Sequence, residues 1–288
     1  MPSPMKDYLA IRALSSGLVH TLLTQSPYHA HWQFEHPEDE SSTAADIGTA
    51  IHSALLEGLD VVEKIIPEMY PAKNGKIPEG WTNPAIKEAR DVARAAGKVP
   101  LLPDDADHVT DAVIAIRGQL ARTELAGVFE SGEPELTVRW AEDPNGVSCK
   151  LRADWLNDRF HVSLKTTDGS GRPDSFIRRC LGPLGYDTSL AFYERGLRTT
   201  GWQGESRILV AEQNPPFRIS VIGLSPARQA YCETRVQRAI EAWQRGMATG
   251  RWPAYPTQTA FAELMPWEDA AEAEIMFTDE QLKEGIPL

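Results

Sequence analysis

An aspartate and a lysine on neighbouring extended runs are the residues here that could do chemistry. In residues 147–156, Val147, Cys149, Leu151, Ala153 and Trp155 alternate with Ser148, Lys150, Arg152 and Asp154, the period of a strand. Asn157 and Asp158 supply a turn. Phe160, Val162 and Leu164 then alternate with His161, Ser163 and Lys165. A turn centred on 157–158 sets Asp154 opposite His161 and diagonal to Ser163. A carboxylate, a lysine and a strand-borne polar pair on one face suit metal-assisted phosphodiester hydrolysis. A hard cation takes oxygen ligands and activates a bound water. A polar face on a half-buried hairpin is more often structural, so the weight falls on the rest of the chain.

The elements that must position this hairpin are legible. Residues 8–34 read as helical with a stop at Ser26-Pro27. Thr43 and Asp46 have capping-box spacing before a helix that ends at Gly58. Residues 60–83 are irregular, with Pro67, Pro71 and Pro78. Helices follow at 84–96 and 104–122, the second opened by Pro103 and two aspartates. Strands are expected at 134–141, 147–156 and 160–167, then a Gly/Ser loop over 168–173. Helices at 173–181 and 185–198 precede strands at 205–213 and 217–224. Ser225-Pro226 opens a long helix to Gly250, with Ala227, Tyr231, Ala239, Ile240, Trp243 and Met247 as its apolar stripe. This order implies an α/β (α+β) fold, a mixed central sheet flanked by helices with an N-terminal helical region. The expected divisions are a mainly helical part at 1–130, a core at 131–256 and an acidic tail at 257–288.

Composition narrows the function. The chain has 288 residues, 42% of them hydrophobic, enough for one large core. Its net charge of −12 argues against nonspecific coating of nucleic acid. The basic pairs Lys150/Arg152, Arg178/Arg179 and Arg195/Arg198 still allow a local basic channel. Cys149, Cys180 and Cys232 are scattered and odd in number, which suits a reducing compartment. The N-terminus lacks the basic start and apolar stretch of a secretory signal, and no apolar run is long enough for a membrane span. A cytoplasmic protein is the expectation. There is no G-x-x-x-x-G-K-[ST], G-x-S-x-G or H-E-x-x-H pattern. His29, His31 and His36 beside Trp32 read as a surface cluster.

A set of motifs in a fixed order carries a family resemblance. They are SSGL at 15–18 with SP at 26–27, GTAIHSALLEG at 48–58, PELTVRW at 134–140, CKLRAD at 149–154, LKTT at 164–167, GYDTSLAFY at 185–193 and WPAYP at 252–256. Over roughly residues 10–256 the chain resembles the RecE-type (exodeoxyribonuclease VIII-like) branch of the PD-(D/E)XK nuclease superfamily, which includes lambda exonuclease and RecB-like nuclease domains. The resemblance implies a PD-(D/E)XK core and assigns roles. His52, a core histidine by its apolar neighbours alone, matches the histidine of a G-x-x-x-H setting that helps bind the metal, with Gly48 permitting close backbone approach. Asp154 matches the first strand-borne metal ligand. Glu135 matches an acidic residue beside the metal, with Glu133 as the weaker alternative. Lys165 matches the motif lysine that orients the attacking water and balances phosphate charge. Arg152, Thr166, Thr167, Ser189 and Tyr193 fall at positions that touch or support DNA; Arg152 could equally pair with a nearby acid.

Two positions depart from the pattern. The second acid belongs two residues before the lysine, where this chain has Ser163, a neutral and poor Mg²⁺ ligand. Ser189 stands where a Q-x-x-x-Y motif has glutamine, while Tyr193 keeps the tyrosine on the same helix face. Three accounts of Ser163 are open: an engineered inactivating change, a natural pseudo-nuclease that kept DNA binding, or a carboxylate supplied from Glu135, Asp168 or Asp187. The resemblance implies a Mg²⁺ (or Mn²⁺) dependent exonuclease acting on linear duplex ends. It further implies a homo-oligomer that hands single strands to an annealing protein in phage-type recombination, with no membrane partner. A catalytically inactive DNA-end binder on the same fold is the second reading. An inhibitor or decoy that uses its acidic surface against a host DNA-processing protein ranks third.

Overall fold

The computed structural model describes residues 5–37, 47–72, 74–142 and 146–264. Two compact units divide the chain, Met1–Pro253 and Ala254–Leu288. All helices and strands among the described residues lie in the first; residues 254–264 form neither. The capping-box pair Thr43/Asp46 and most of the acidic tail lie outside the described residues.

A five-stranded mixed sheet organises the first unit: β3 (Glu133–Ala141), β4 (Ser148–Leu156), β5 (Phe160–Thr167), β6 (Glu205–Glu212) and β7 (Ile219–Ile222), in that spatial order. Only β5 and β6 pair in parallel; the other neighbours are antiparallel. The crossover between them holds α7 (Pro173–Phe176), a π-helical turn at Ile177–Leu181 and α8 (Tyr186–Arg198). A parallel pair requires such a connection. Helices cover both faces. Leu209 and Ala211 of β6 join a core with Val162 and Leu164 of β5, α4 (Ile47–Glu57) and α6 (Pro103–Leu120). Their neighbours Ile208 and Val210 pack instead with Phe176 and Leu190 of α7 and α8. Burial on both faces explains why β6 reads as a continuous apolar run rather than an alternating one.

A third cluster joins α2 (Ser16–Thr24), α8 and α9 (Pro226–Thr249) to Trp140, Cys149 and Leu151. The hydroxyls of Ser15 and Ser225 cap α2 and α9 at their first turns, and each such cap is worth about 1 kcal/mol. α8 lies close on the sheet because Gly196 carries no side chain: a Cβ there would stand 2.6 Å from Trp140 and 2.7 Å from Leu151.

Several expectations need correction. Residues 8–34 are not one helix with a single stop. They hold the end of α1 (Met5–Ala10), α2 and α3 (Pro27–Glu35), because Ser15 and Ser26 each start a new helix. Within 60–83 a short strand, β1 (Val62–Lys64), pairs in parallel with β2 (Val99–Leu101). Three residues are too few to show a period, and Pro100 argues against a strand; it is tolerated because β2 has one neighbour only. α5 (Pro84–Ala95) and α6 match the helices expected there. The α9 stripe is Cys232, Val236, Ala239, Ile240, Trp243 and Gly246, while Tyr231 and Met247 are exposed. Lys150 is not on an open face: it is buried, and its Nζ donates to the carbonyls of Tyr8 and Ile11.

Gly196→Ala is expected to lower unfolding free energy by about 1–3 kcal/mol through overpacking, against the usual gain of alanine in a helix. Urea denaturation measures it.

Candidate active site

The site begins where β4 and β5 part. Their ladder holds Trp155 against Val162 and Leu156 against His161, which makes Asp154 level with Ser163 rather than with His161. The turn is centred one residue later than its sequence suggests: Asn157 Oδ1 accepts from the amides of Arg159 and Phe160, and the register slips by two. Faces are preserved, since the side-chain period is also two. Beyond Trp155 the strands separate. Farther along β4, the amide of Lys150 bonds to the Leu14 carbonyl, so the segment before α2 enters the wedge. At the fork, Asp154 Oδ2 accepts the Leu164 amide at 2.8 Å and faces the Ser163 hydroxyl at 3.4 Å. A side chain thereby satisfies a β5 donor that the ladder has abandoned.

Three candidate ligands meet at this fork. One donor atom each from His52, Glu135 and Asp154 lies within 4.8 Å of the others. His52 Nε2 stands 3.8 Å from Asp154 Oδ2. α4 brings it there through Gly48, where a Cβ would press on Gln213 and Thr166. Glu135 falls level with Asp154, between the pairs Pro134–Trp155 and Leu136–Ala153. Its φ is +53°, a conformation that costs a non-glycine residue of order 1 kcal/mol. Arg152 bonds to Glu135 Oε2 at the same place, the pairing its sequence position left open. An imidazole nitrogen and two carboxylates fit a divalent cation.

Lys165 Nζ lies 3.6 Å from Asp154 Oδ2. Burial alone would raise the Asp154 carboxyl. The Lys165 ammonium and the His52 hydrogen bond and charge outweigh it and hold the carboxyl well below its usual range. Sequence spacing does not single out Glu57, on the last turn of α4, one residue past the i+4 position from His52. Partial burial and the Glu135 charge push its carboxyl upward, so its charge belongs to the same field.

Behind Asp154 lies a cavity of about 140 Å³, lined by Ser16, Asp154, His161, Ser163, Lys165, Tyr186, Ser189, Leu190 and Tyr193. The Tyr193 hydroxyl bonds to Ser16 and to the Arg152 backbone, and burial pushes its pKa up to about 12. Its ring lies 5.3 Å from that of His161. His161 is fully buried; Nδ1 meets Ser206 Oγ at 3.1 Å, while Nε2 has no hydrogen-bond partner. An unpaired buried donor or acceptor costs about 1–3 kcal/mol. Burial holds this imidazole neutral, with a pKa lowered to about 4; Asp154 opposes the shift and Lys165 adds to it.

The remaining candidates sit apart from the three ligands. Thr166 packs under Gly48, and Thr167 Oγ1 accepts the Gly169 amide. Glu133 pairs with Leu156 at the far end of the hairpin. Asp187 is buried against Arg228, and Asp168 offers its carbonyl to Asn214. Among the described residues neither joins the His52 cluster. His31 stacks on Trp252 and His36 on Trp32. Arg195 is taken by Glu142.

The His161 shift has a pH signature. Its folded pKa lies below the unfolded value of about 6.5, so the unfolded chain binds the extra proton as pH falls from about 6.5 towards 4. Stability from this group is complete above that window and falls through it, by up to about 1.4 kcal/mol per pH unit. Denaturation from pH 4 to 7 is expected to show this slope in the unsubstituted chain and a flatter one in His161→Gln.

The comparisons with known proteins agree with this architecture. The crystal structure of a "Putative exonuclease" from Eubacterium rectale aligns over 94% of this chain and 98% of that one, at 16% identity and a TM-score of 0.50, a likeness of fold. The structure of SSO0001 aligns over 54% of this chain and 67% of that one, at 16% identity and a TM-score of 0.26, too low to carry an argument. No curated protein matches the chain. The family model described as "PDDEXK-like domain of unknown function (DUF3799)" matches residues 15–263. The chain belongs to this PDDEXK-like family.

Proposed function

We propose that this chain is a metal-dependent DNA exonuclease of the RecE type, hydrolysing phosphodiesters at linear duplex ends. The observation that carries the reading is the convergence of His52, Glu135 and Asp154 within 4.8 Å of one another, with Lys165 Nζ 3.6 Å from Asp154. These three residues would hold Mg²⁺ or Mn²⁺. Such an ion supplies an activated water and a Lewis acid for the phosphoryl oxygen. Lys165 would orient the attacking water and offset phosphate charge. Glu135 is fixed by Arg152, which keeps one carboxylate in place before substrate arrives. Arg152, Thr166, Thr167, Ser189 and Tyr193 contact or support the DNA backbone in this reading. A homo-oligomer, an annealing partner and a role in phage-type recombination complete it.

Ser163 supports a second reading, a DNA-end-binding protein without catalysis. Among the described residues two carboxylates join the cluster at the fork, and a hydroxyl is a poor substitute for a third. Cleavage of linear duplex DNA with Mg²⁺ or Mn²⁺ separates the two. The exonuclease reading expects digestion that Asp154→Ala reduces by at least about a hundredfold, in line with losing a metal ligand. No digestion by the unsubstituted chain, with digestion gained in Ser163→Asp, identifies a disabled nuclease. End binding without cleavage by either form supports the binder.

A further inference from the structure

The cavity behind Asp154 has the makings of a second site. Eight of its nine lining residues carry a polar group, among them Ser16, Ser163, Ser189 and the two tyrosines, though the tyrosine rings and Leu190 add apolar wall. It holds one cation, Lys165, against one anion, Asp154, so its fixed charges balance. Asp154 is already engaged by the Leu164 amide and by Lys165. His161 is the unsatisfied member: fully buried, lining the cavity, with no partner for Nε2. When the Ser206 hydroxyl donates to Nδ1, the ring proton is on Nε2. The cavity then presents an imidazole N–H, the Lys165 ammonium and the Ser189 hydroxyl, while the Ser163 hydroxyl donates to Asp154 and Ser16 bonds to Tyr193.

With the fixed charges balanced, the uncommitted groups decide, and these are donors, which suit an anion. The place and the space point to a small one. Ser163 leaves free what a longer acidic side chain at this position, level with Asp154, would fill. We propose that the cavity binds a one- or two-carbon carboxylate, such as formate or acetate. One oxygen meets His161 Nε2 and the Ser189 hydroxyl, and the other turns towards the Lys165 ammonium. The bound anion would then stand in for the acid missing at 163. The anion site stands on the cavity itself. Its coupling to a cation at His52, Glu135 and Asp154 rests on the metal-site reading above, since a divalent cation makes the neighbourhood net positive and favours the anion.

Histidine-selective ¹⁵N labelling of the full chain, without added metal, tests the site directly. His161→Gln identifies the His161 Nε2 resonance by its loss. The expected result is a saturable shift of that resonance with sodium formate, absent with sodium chloride at equal ionic strength, and no formate response in Ser163→Asp. An unmoved resonance overturns the site, and so does an equal response in Ser163→Asp. Calorimetric titration with MnCl₂ tests the coupling: saturating formate is expected to tighten Mn²⁺ binding several-fold in the unsubstituted chain and to leave Ser163→Asp unchanged. Equal Mn²⁺ affinity in formate and chloride overturns the coupling. A formate shift with no Mn²⁺ binding leaves the anion site standing and overturns the cation reading instead.

Discussion

One carboxylate holds the fork open. Where β4 and β5 separate, the ladder would leave the Leu164 amide unpaired, and Asp154 takes it at 2.8 Å. The same oxygen faces His52 and Lys165. A group that completes the backbone hydrogen bonding of the sheet is thus also the centre of the candidate site. Its ionisation is stabilised by neighbours brought from different elements: α4 supplies the imidazole and β5 the ammonium. The cost of enclosing charge is met by pairing and hydrogen bonding, the condition under which buried ions persist.

The fork also explains how one side chain serves two surroundings. α4 belongs to the core on the Val162/Leu164 side of β5. α8 closes over the alternate residues, His161, Ser163 and Lys165. In a continuous ladder Asp154 would see one of these faces only. With the strands parted, His52 reaches it from one side and the hydroxyl-lined cavity from the other. Glu135 is drawn in by register from β3, at the expense of a left-handed backbone.

Much of this was legible in the chain. Strict alternation fixed the two hairpin strands and their faces, because a half-buried strand leaves a period-two record. The helices opened by Pro84, Pro103 and Pro226 were equally plain. Register was not, because it depended on Asn157 capping a turn centred one residue later than Asn-Asp suggests. β1 and β2 left no signal, being too short for any period. Lys150 misled for a different reason: its charge matched a polar face, yet its partners are carbonyls from α1 and the residue after it, distant in sequence. The orphaned Nε2 of His161 is a property of packing, and no spacing rule announces it.

Lys150 ties the beginning of the chain to the middle of its sheet. The stretch from Tyr8 to Leu14 is gripped by an ammonium and by the β4 backbone, and it leads directly to Ser16 at the cavity wall. Trimming or crowding the amino terminus would therefore be felt deep inside the molecule, as a loosened wedge beside the reactive carboxylate rather than a frayed end.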